Sequence, residues 1–182
     1  MKFLIAPKIL EILGKYLGTF AIKDICLDIV ALMKCPLCHV HSLNEVSLET
    51  GLSAYQCHRC FGHWVPSENY WEWLDHREQR HKQSRSPALI KLNVGQNLLP
   101  VVDNSSANFC VDCARLMTKT KVGRGLNFYI DRCGHCHGVW LDQNEWENIQ
   151  QMDLHHQIHY MFSSAWQQSV RREAYAKRAT PA

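Results

Sequence analysis

Four C-x-x-C pairs set out as two groups of nearly equal spacing, a hairpin-like alternating stretch inside each group and a helix-opening signal after each predict a small α+β fold. The expected architecture is two modules of knuckle, β-hairpin, knuckle and helix, with an amphipathic helix at the N-terminus and another at the C-terminus. Cys35-x2-Cys38, 18 residues and Cys57-x2-Cys60 make the first group, and Cys110-x2-Cys113, 19 residues and Cys133-x2-Cys136 the second. The likeness runs past the cysteines. Cys60 is followed by FGHWV and SENYWEWL, Cys136 by HGVWL and DQNEWENI. Gly62, Trp64, Trp71 and Leu74 align with Gly138, Trp140, Trp146 and Ile149 if one residue near Pro66 is treated as inserted.

Within the second module, Leu126, Phe128 and Ile130 alternate with Asn127, Tyr129 and Asp131, the period of a half-buried strand, and Gly123-Arg124-Gly125 supplies the turn before it. The first module follows the same plan, with Val46 and Leu48 before Thr50-Gly51 and Leu52 to Tyr55 after it. Asp142 with Glu145 three residues on forms a capping box that opens a helix, and Ser67 after Pro66 opens its counterpart. From Asp142 to about Lys177 there is neither Gly nor Pro, and Trp146, Ile149, Ile158, Met161, Phe162, Ala165, Trp166 and Val170 recur at roughly helical spacing, which predicts one long helix or two broken near His155. Ile9, Leu10, Leu13, Tyr16, Leu17 and Phe20 recur in the same way near the start. The expected organisation is therefore an amphipathic segment over 1–34, modules over 35–75 and 110–150, a linker over 76–109 whose apolar stretch Leu89 to Val102 packs on a module, and a C-terminal helix with a basic tail over 151–182.

Composition narrows the class. At 46% apolar and 20% charged the chain is that of a folded domain rather than a disordered one, and a net charge of +3 leaves any nucleic-acid affinity to local clusters. Lys8, Glu11 and Lys15 interrupt the first apolar run, so it resembles neither a secretory leader nor a membrane span, and a reducing cytoplasm is expected. In that compartment eight paired cysteines point to metal rather than disulfides. Two thiolates in a tight turn grip one ion, and a second turn delivered by a hairpin completes a tetrahedron of sulfurs; four soft donors select zinc or iron, and this spacing favours zinc. Two Zn2+ per chain are expected, one on Cys35, Cys38, Cys57 and Cys60, the other on Cys110, Cys113, Cys133 and Cys136. Modules of about 40 residues bury too little apolar surface to fold unaided, so the ion is a condition of folding. Cys26, outside the pattern, reads as a small buried hydrophobe.

The stretch from Ile130-Asp131-Arg132 through Cys133-GHCHGVWLDQNEWENI resembles the transcription-factor-IIB-type zinc-ribbon family known from many bacterial proteins. The first module keeps Cys35-Pro36-Leu37-Cys38, Gly62 and Trp64 but has Val65-Pro66-Ser67 in place of Leu141-Asp142. Two tandem copies are implied, and Met33-Lys34-Cys35-Pro36 resembles the family's usual opening, which makes residues 1–32 an added element or the product of an upstream start. The resemblance implies zinc binding and contact with nucleic acid or protein, and no reaction.

His39, His41, His58, His63, His135 and His137 flank the knuckles but are not needed as ligands once eight cysteines serve two ions. His155, His156 and His159 with His76 and His81 are a candidate for a further surface metal site. Trp64 and Trp140 are expected to cover the knuckles, and Trp71, Trp73 and Trp146 to pack helix on hairpin. Arg77, Arg80, Lys82, Arg85 and Lys91, the hairpin's Lys119, Lys121 and Arg124, and the tail's Arg171, Arg172, Lys177 and Arg178 are candidates for phosphate contact. The function expected is a non-enzymatic zinc-binding module contacting nucleic acid or a nucleic-acid-handling protein. The alternative is a protein adaptor or assembly factor, docked through its terminal helices, with purely structural zinc. Each module closes its own site, so the two are expected to be energetically separate.

Overall fold

Strands Leu43–Glu49 (β1) and Leu52–Cys57 (β2) form the first hairpin, turning at Gly51, whose φ of 86° is open to glycine at no steric cost. The computed structural model describes residues 33–40, 43–83, 98–102, 104 and 106–179. The N-terminal amphipathic helix, Cys26, His41, Arg85 and Lys91 lie outside these residues. After the second knuckle come the short strand His63–Val65 (β3) and the helix Ser67–Gln83 (α1). The order repeats as Met117–Gly123 (β4), Leu126–Cys133 (β5), Val139–Leu141 (β6) and Glu145–Gln151 (α2). A 3-10 turn at His155–Gln157 and helices Ile158–Met161 (α3) and Ser164–Ala179 (α4) follow.

All six strands belong to one antiparallel sheet in the order β1-β2-β3-β6-β5-β4. The join is β3 on β6, with His63 opposite Leu141, Trp64 opposite Trp140 and Val65 opposite Val139. This overturns the expectation of separate modules, because backbone hydrogen bonds and a common core run straight across the boundary. One core cluster takes Leu52, Ala54, Val65, Tyr70 and Trp73 from the first half and Val122, Phe128, Ile130, Leu141, Trp146, Ile149 and Trp166 from the second. Since successive strand residues face opposite sides, Trp64 and Trp140 point away from that core and into a second cluster with Leu43, Met117 and the cysteines.

The aligned residues shift by one from expectation. Tyr70 and Trp73 are fully buried while Trp71 is 46% exposed, so Tyr70 corresponds to Trp146 and Trp73 to Ile149 with no insertion near Pro66. Trp71 instead rests edge-on against Tyr70 and beside His159. The capping box at α2 forms by half. Glu145 Oε2 accepts from the Asp142 N–H at 2.7 Å, but the Asp142 carboxylate takes the Trp140 indole N–H at 2.8 Å and the Asn104 N–H at 3.2 Å. Asn144, at φ 68°, stands as N-cap without a side-chain capping bond, its amide donating instead to Pro100 O at 2.8 Å.

The C-terminal region is broken twice rather than once. Leu154 N–H donates to Ile149 O and Asp153 N–H to Gln150 O, the pair of bonds that closes a helix on a left-handed residue, here Asp153 at φ 53°. Aspartate tolerates that conformation better than most side chains, which is why no glycine marks the stop. A second break at Phe162 and Ser163 precedes α4, which lies on β4, with the Trp166 indole donating to Val122 O at 2.8 Å. The described part of the apolar linker, 98–102, docks on α2: Asn148 holds Leu99 by both its N–H and its carbonyl.

Candidate metal centre

Each of the four knuckles closes with the same two backbone bonds. His39 N–H returns to Cys35 O, Phe61 to Cys57 O, Ala114 to Cys110 O and His137 to Cys133 O, while the N–H of the leading cysteine takes the carbonyl of Val40, Gly62, Arg115 or Gly138. The residue after each second cysteine is left-handed, at φ 54°, 58°, 52° and 63° in chain order, though none is glycine. In every knuckle the first cysteine is buried and the second half-buried, so the sulfurs turn inward from a turn that stays at the surface.

These turns bring Cys35, Cys38, Cys57 and Cys60 into one cluster and Cys110, Cys113, Cys133 and Cys136 into another, the sulfurs of each lying within 4.8 Å of one another. Cys35 and Cys60 are 3.5 Å apart, Cys110 and Cys136 3.4 Å, Cys113 and Cys133 3.4 Å. A disulfide needs about 2.05 Å, whereas sulfurs at about 2.3 Å from one tetrahedral ion stand about 3.8 Å apart. Backbone amides already face the sulfurs: Cys38 N–H to Cys35 Sγ at 3.3 Å, Arg59 N–H to Cys57 Sγ and His135 N–H to Cys133 Sγ at 3.4 Å. The protonation chemistry of the foursomes also asks for a cation. Burial and the neighbouring Cys60 push Cys38 up to about 11, and bonding to Cys35 with burial pushes Cys60 up as well. Bonding to Cys136 and burial raise Cys110, while Cys136, receiving the Cys110 thiol, falls to about 5. Four adjacent thiolates need a divalent ion to be stable together, and the donor set fits zinc, with the amide N–H groups sharing the excess charge.

Residues 34–76 match the transcription factor zinc-finger family of TFIIB-type ribbons. Comparison with curated proteins and with solved structures gives no match. The ribbon match covers the first cysteine cluster alone; the second cluster is carried by the repeated knuckle bonds and by its own hairpin. Ribbon family and paired clusters together support zinc binding at two sites.

Between the two cysteine centres lies a reciprocal contact that the sequence did not announce. A Cβ on Gly62 would meet Trp140 Cζ2 at 2.3 Å, and one on Gly138 would meet Trp64 Cζ2 at 2.2 Å. Each glycine therefore makes room for the other half's tryptophan, and Trp64 Nε1 donates across the boundary to Asp112 Oδ1 at 3.1 Å, inside the other centre's first knuckle. The twice-occurring Gly-x-Trp after the last cysteine was the available signal. None of the flanking histidines joins a cysteine cluster among the described residues. His63 is buried beside Gln56 Nε2 at 2.8 Å, and His39, His58, His135 and His137 are exposed.

The basic candidates divide. Arg77 lies 3.7 Å from Asp153, 3.0 Å from His155 and over the Trp73 ring. Lys119 is 3.0 Å from the buried Asp131, which also takes Asn108 Nδ2 at 2.7 Å. Arg124 is 3.5 Å from Glu173 and stacks on Trp166. Lys121 stands over the Tyr129 ring, and Arg80 and Lys82 fall on the last turns of α1. Arg171, Arg172, Lys177 and Arg178 are exposed on α4. No helix among the described residues is long and apolar enough to cross a membrane.

Proposed function

We propose that this is a non-enzymatic, cytoplasmic zinc-binding module that contacts the phosphate backbone of nucleic acid through α4 and the adjoining β4–β5 hairpin. The observation that carries the reading is the distribution of engaged and exposed cations. Arg77 and Lys119, central to the expectation from sequence, are half-buried in ion pairs, whereas four exposed cations on α4 stand against Glu173, which already faces Arg124. Tyr175, on α4 itself, is 68% exposed among these cations, an aromatic ring suited to stacking single-stranded bases, and Lys121 of the hairpin stands over a second ring, Tyr129. Four thiolates leave a zinc ion no open position, so the metal acts as a folding element and not as a Lewis acid. The cysteine centres also carry net negative charge when loaded, and Glu68 and Asp112 line the cleft of about 480 Å³ beside Cys113 and Cys136, which keeps phosphates away from that end.

Fluorescence anisotropy with single- and double-stranded oligonucleotides at several salt concentrations tests this. Replacing Arg171 and Arg172 by Ala is expected to weaken binding alike for all sequences and to flatten the salt slope by about one unit for each phosphate no longer neutralised. Absence of wild-type binding at low salt would refute it. The adaptor reading has its own observation: Phe109 and Leu116, bridged to each other beside the third knuckle, are 56% and 59% exposed.

A further inference from the structure

We propose that Asp153, His155 and His156 form a third metal site, of mixed oxygen and nitrogen donors, at the joint between the two ribbons. Asp153 Oδ1 lies 3.8 Å from His155 Nδ1 and 3.6 Å from His156 Nδ1, and the three donor atoms lie within 4.8 Å of one another. Donors at about 2.0–2.1 Å from a tetrahedral ion stand about 3.3 Å apart, so each imidazole nitrogen is within about half an ångström of a bound ion's spacing from the carboxylate.

The backbone fixes the ligands before any ion arrives. Asp153 is the left-handed residue that ends α2, held by its N–H to Gln150 O. The His155 carbonyl accepts from Tyr70 Oη at 3.0 Å, and its ring lies 5.7 Å from Trp73 and 6.0 Å from Trp146, so the imidazole is seated in a wall built by both halves. His155 Nδ1 is buried and makes no hydrogen bond. A metal-bound imidazole needs an acceptor for its other N–H, and Glu49 Oε2 lies 3.4 Å from His155 Nε2, itself buried and without a hydrogen bond. His156 is half-exposed, with its Nδ1 buried and turned toward Asp153.

Arg77 is the group that opposes a cation here, at 3.0 Å from His155 Nε2 and 3.7 Å from Asp153 Oδ1. Asp153 and Glu49 outweigh it, leaving the neighbourhood one negative charge with both imidazoles neutral. Binding through Nδ1 puts the proton of His155 on Nε2, which displaces the guanidinium from that nitrogen toward the carboxylates. Two imidazoles with one carboxylate suit a borderline divalent ion such as zinc, with the remaining positions taken by water. Because Glu49 ends β1, Arg77 sits on α1 and the ligands follow α2, an ion here ties the first ribbon to the second.

The test uses the full chain with both cysteine centres loaded. Metal analysis at saturating zinc is expected to give three ions per chain, the third removed by a mild chelator that leaves two. His156→Ala, at a half-exposed position, is expected to hold two, as is Asp153→Ala, while His58→Ala keeps three. Cobalt substitution gives a second reading: the third ion is expected to add none of the thiolate charge-transfer absorption that the cysteine centres produce. A wild-type chain that saturates at two ions overturns the proposal. So does a third ion retained by His156→Ala, which places it elsewhere on the surface.

Discussion

Gly138→Ala probes the contact at which the two halves meet. The new Cβ would stand 2.2 Å from Trp64 Cζ2 and 2.5 Å from its Cη2, where carbon atoms in contact need about 3.5 Å. The ring must therefore withdraw by about 1.3 Å, yet Trp64 is 0% exposed, flanked by the first cysteine cluster and held by its bond to Asp112. Overpacking of this kind costs about 1–3 kcal/mol, and a fully enclosed rigid ring places the change at the upper end. For a chain of this length about 3 kcal/mol corresponds to a fall in Tm of about 6–12 °C. Thermal unfolding of the zinc-loaded protein, followed by circular dichroism, measures it. Trp64→Phe removes the atoms in collision, so Gly138→Ala with Trp64→Phe is expected to be less destabilised than the sum of the single changes by about 1 kcal/mol or more. An unchanged Tm for Gly138→Ala, or strict additivity in the pair, would refute the packing argument.

Cys133→Ser is expected to lower the stability of the whole chain and to reduce zinc at the first centre as well, since β3 pairs with β6 and one core spans both halves; a variant that keeps one ion and half its cooperative transition would show separable ribbons. His159 offers a pH dependence: burial, then the charges of Arg132 and His137, hold its pKa down to about 4, against about 6.5 in an unfolded chain. Below about pH 6.5 the unfolded state binds a proton that the folded state refuses, so stability is lost as pH falls from 6.5 toward 4. Urea midpoints at pH 7.0 and 5.5 are expected to drop further in the wild type than in His159→Asn, and parallel drops would count against this account.

The cysteine pattern was legible because ligand spacing is local, set by a turn and a hairpin, and so was the alternation of Leu126, Phe128 and Ile130. The break near His155 was one of two readings of the periodicity, but its left-handed Asp153 carried no signal because it is not glycine, and the same holds for His39, Phe61, Ala114 and His137 after the knuckles. Pattern matching on tryptophan paired Trp71 with Trp146, whereas burial pairs Tyr70 with it: the helix face is set by the sheet beneath, and any large ring serves. Asp131 sits at a polar phase of its strand yet is buried, since β5 there gains β6 as a second neighbour while Lys119 and Asn108 satisfy its carboxylate. The joining of the ribbons was out of reach for a related reason. Strand β3 is three residues long, and nothing within one repeat says that its edge is reserved for the other.

The exchange of Gly62 and Gly138 against Trp140 and Trp64 has the form of an isologous interface, in which one patch is complementary to itself across a symmetry axis. Each half stands to the other as one subunit of a dimer stands to its partner, and joining them in one chain raises the effective concentration of one half for the other. The first half alone would expose the edge of β3 and an unfilled slot for an indole ring, the features that invite pairing with another copy. Fusion fills both internally. A protease site placed between positions 84 and 97 and then cut is expected to leave the halves together on gel filtration; halves that part would mean that the linker, and not the sheet, holds them.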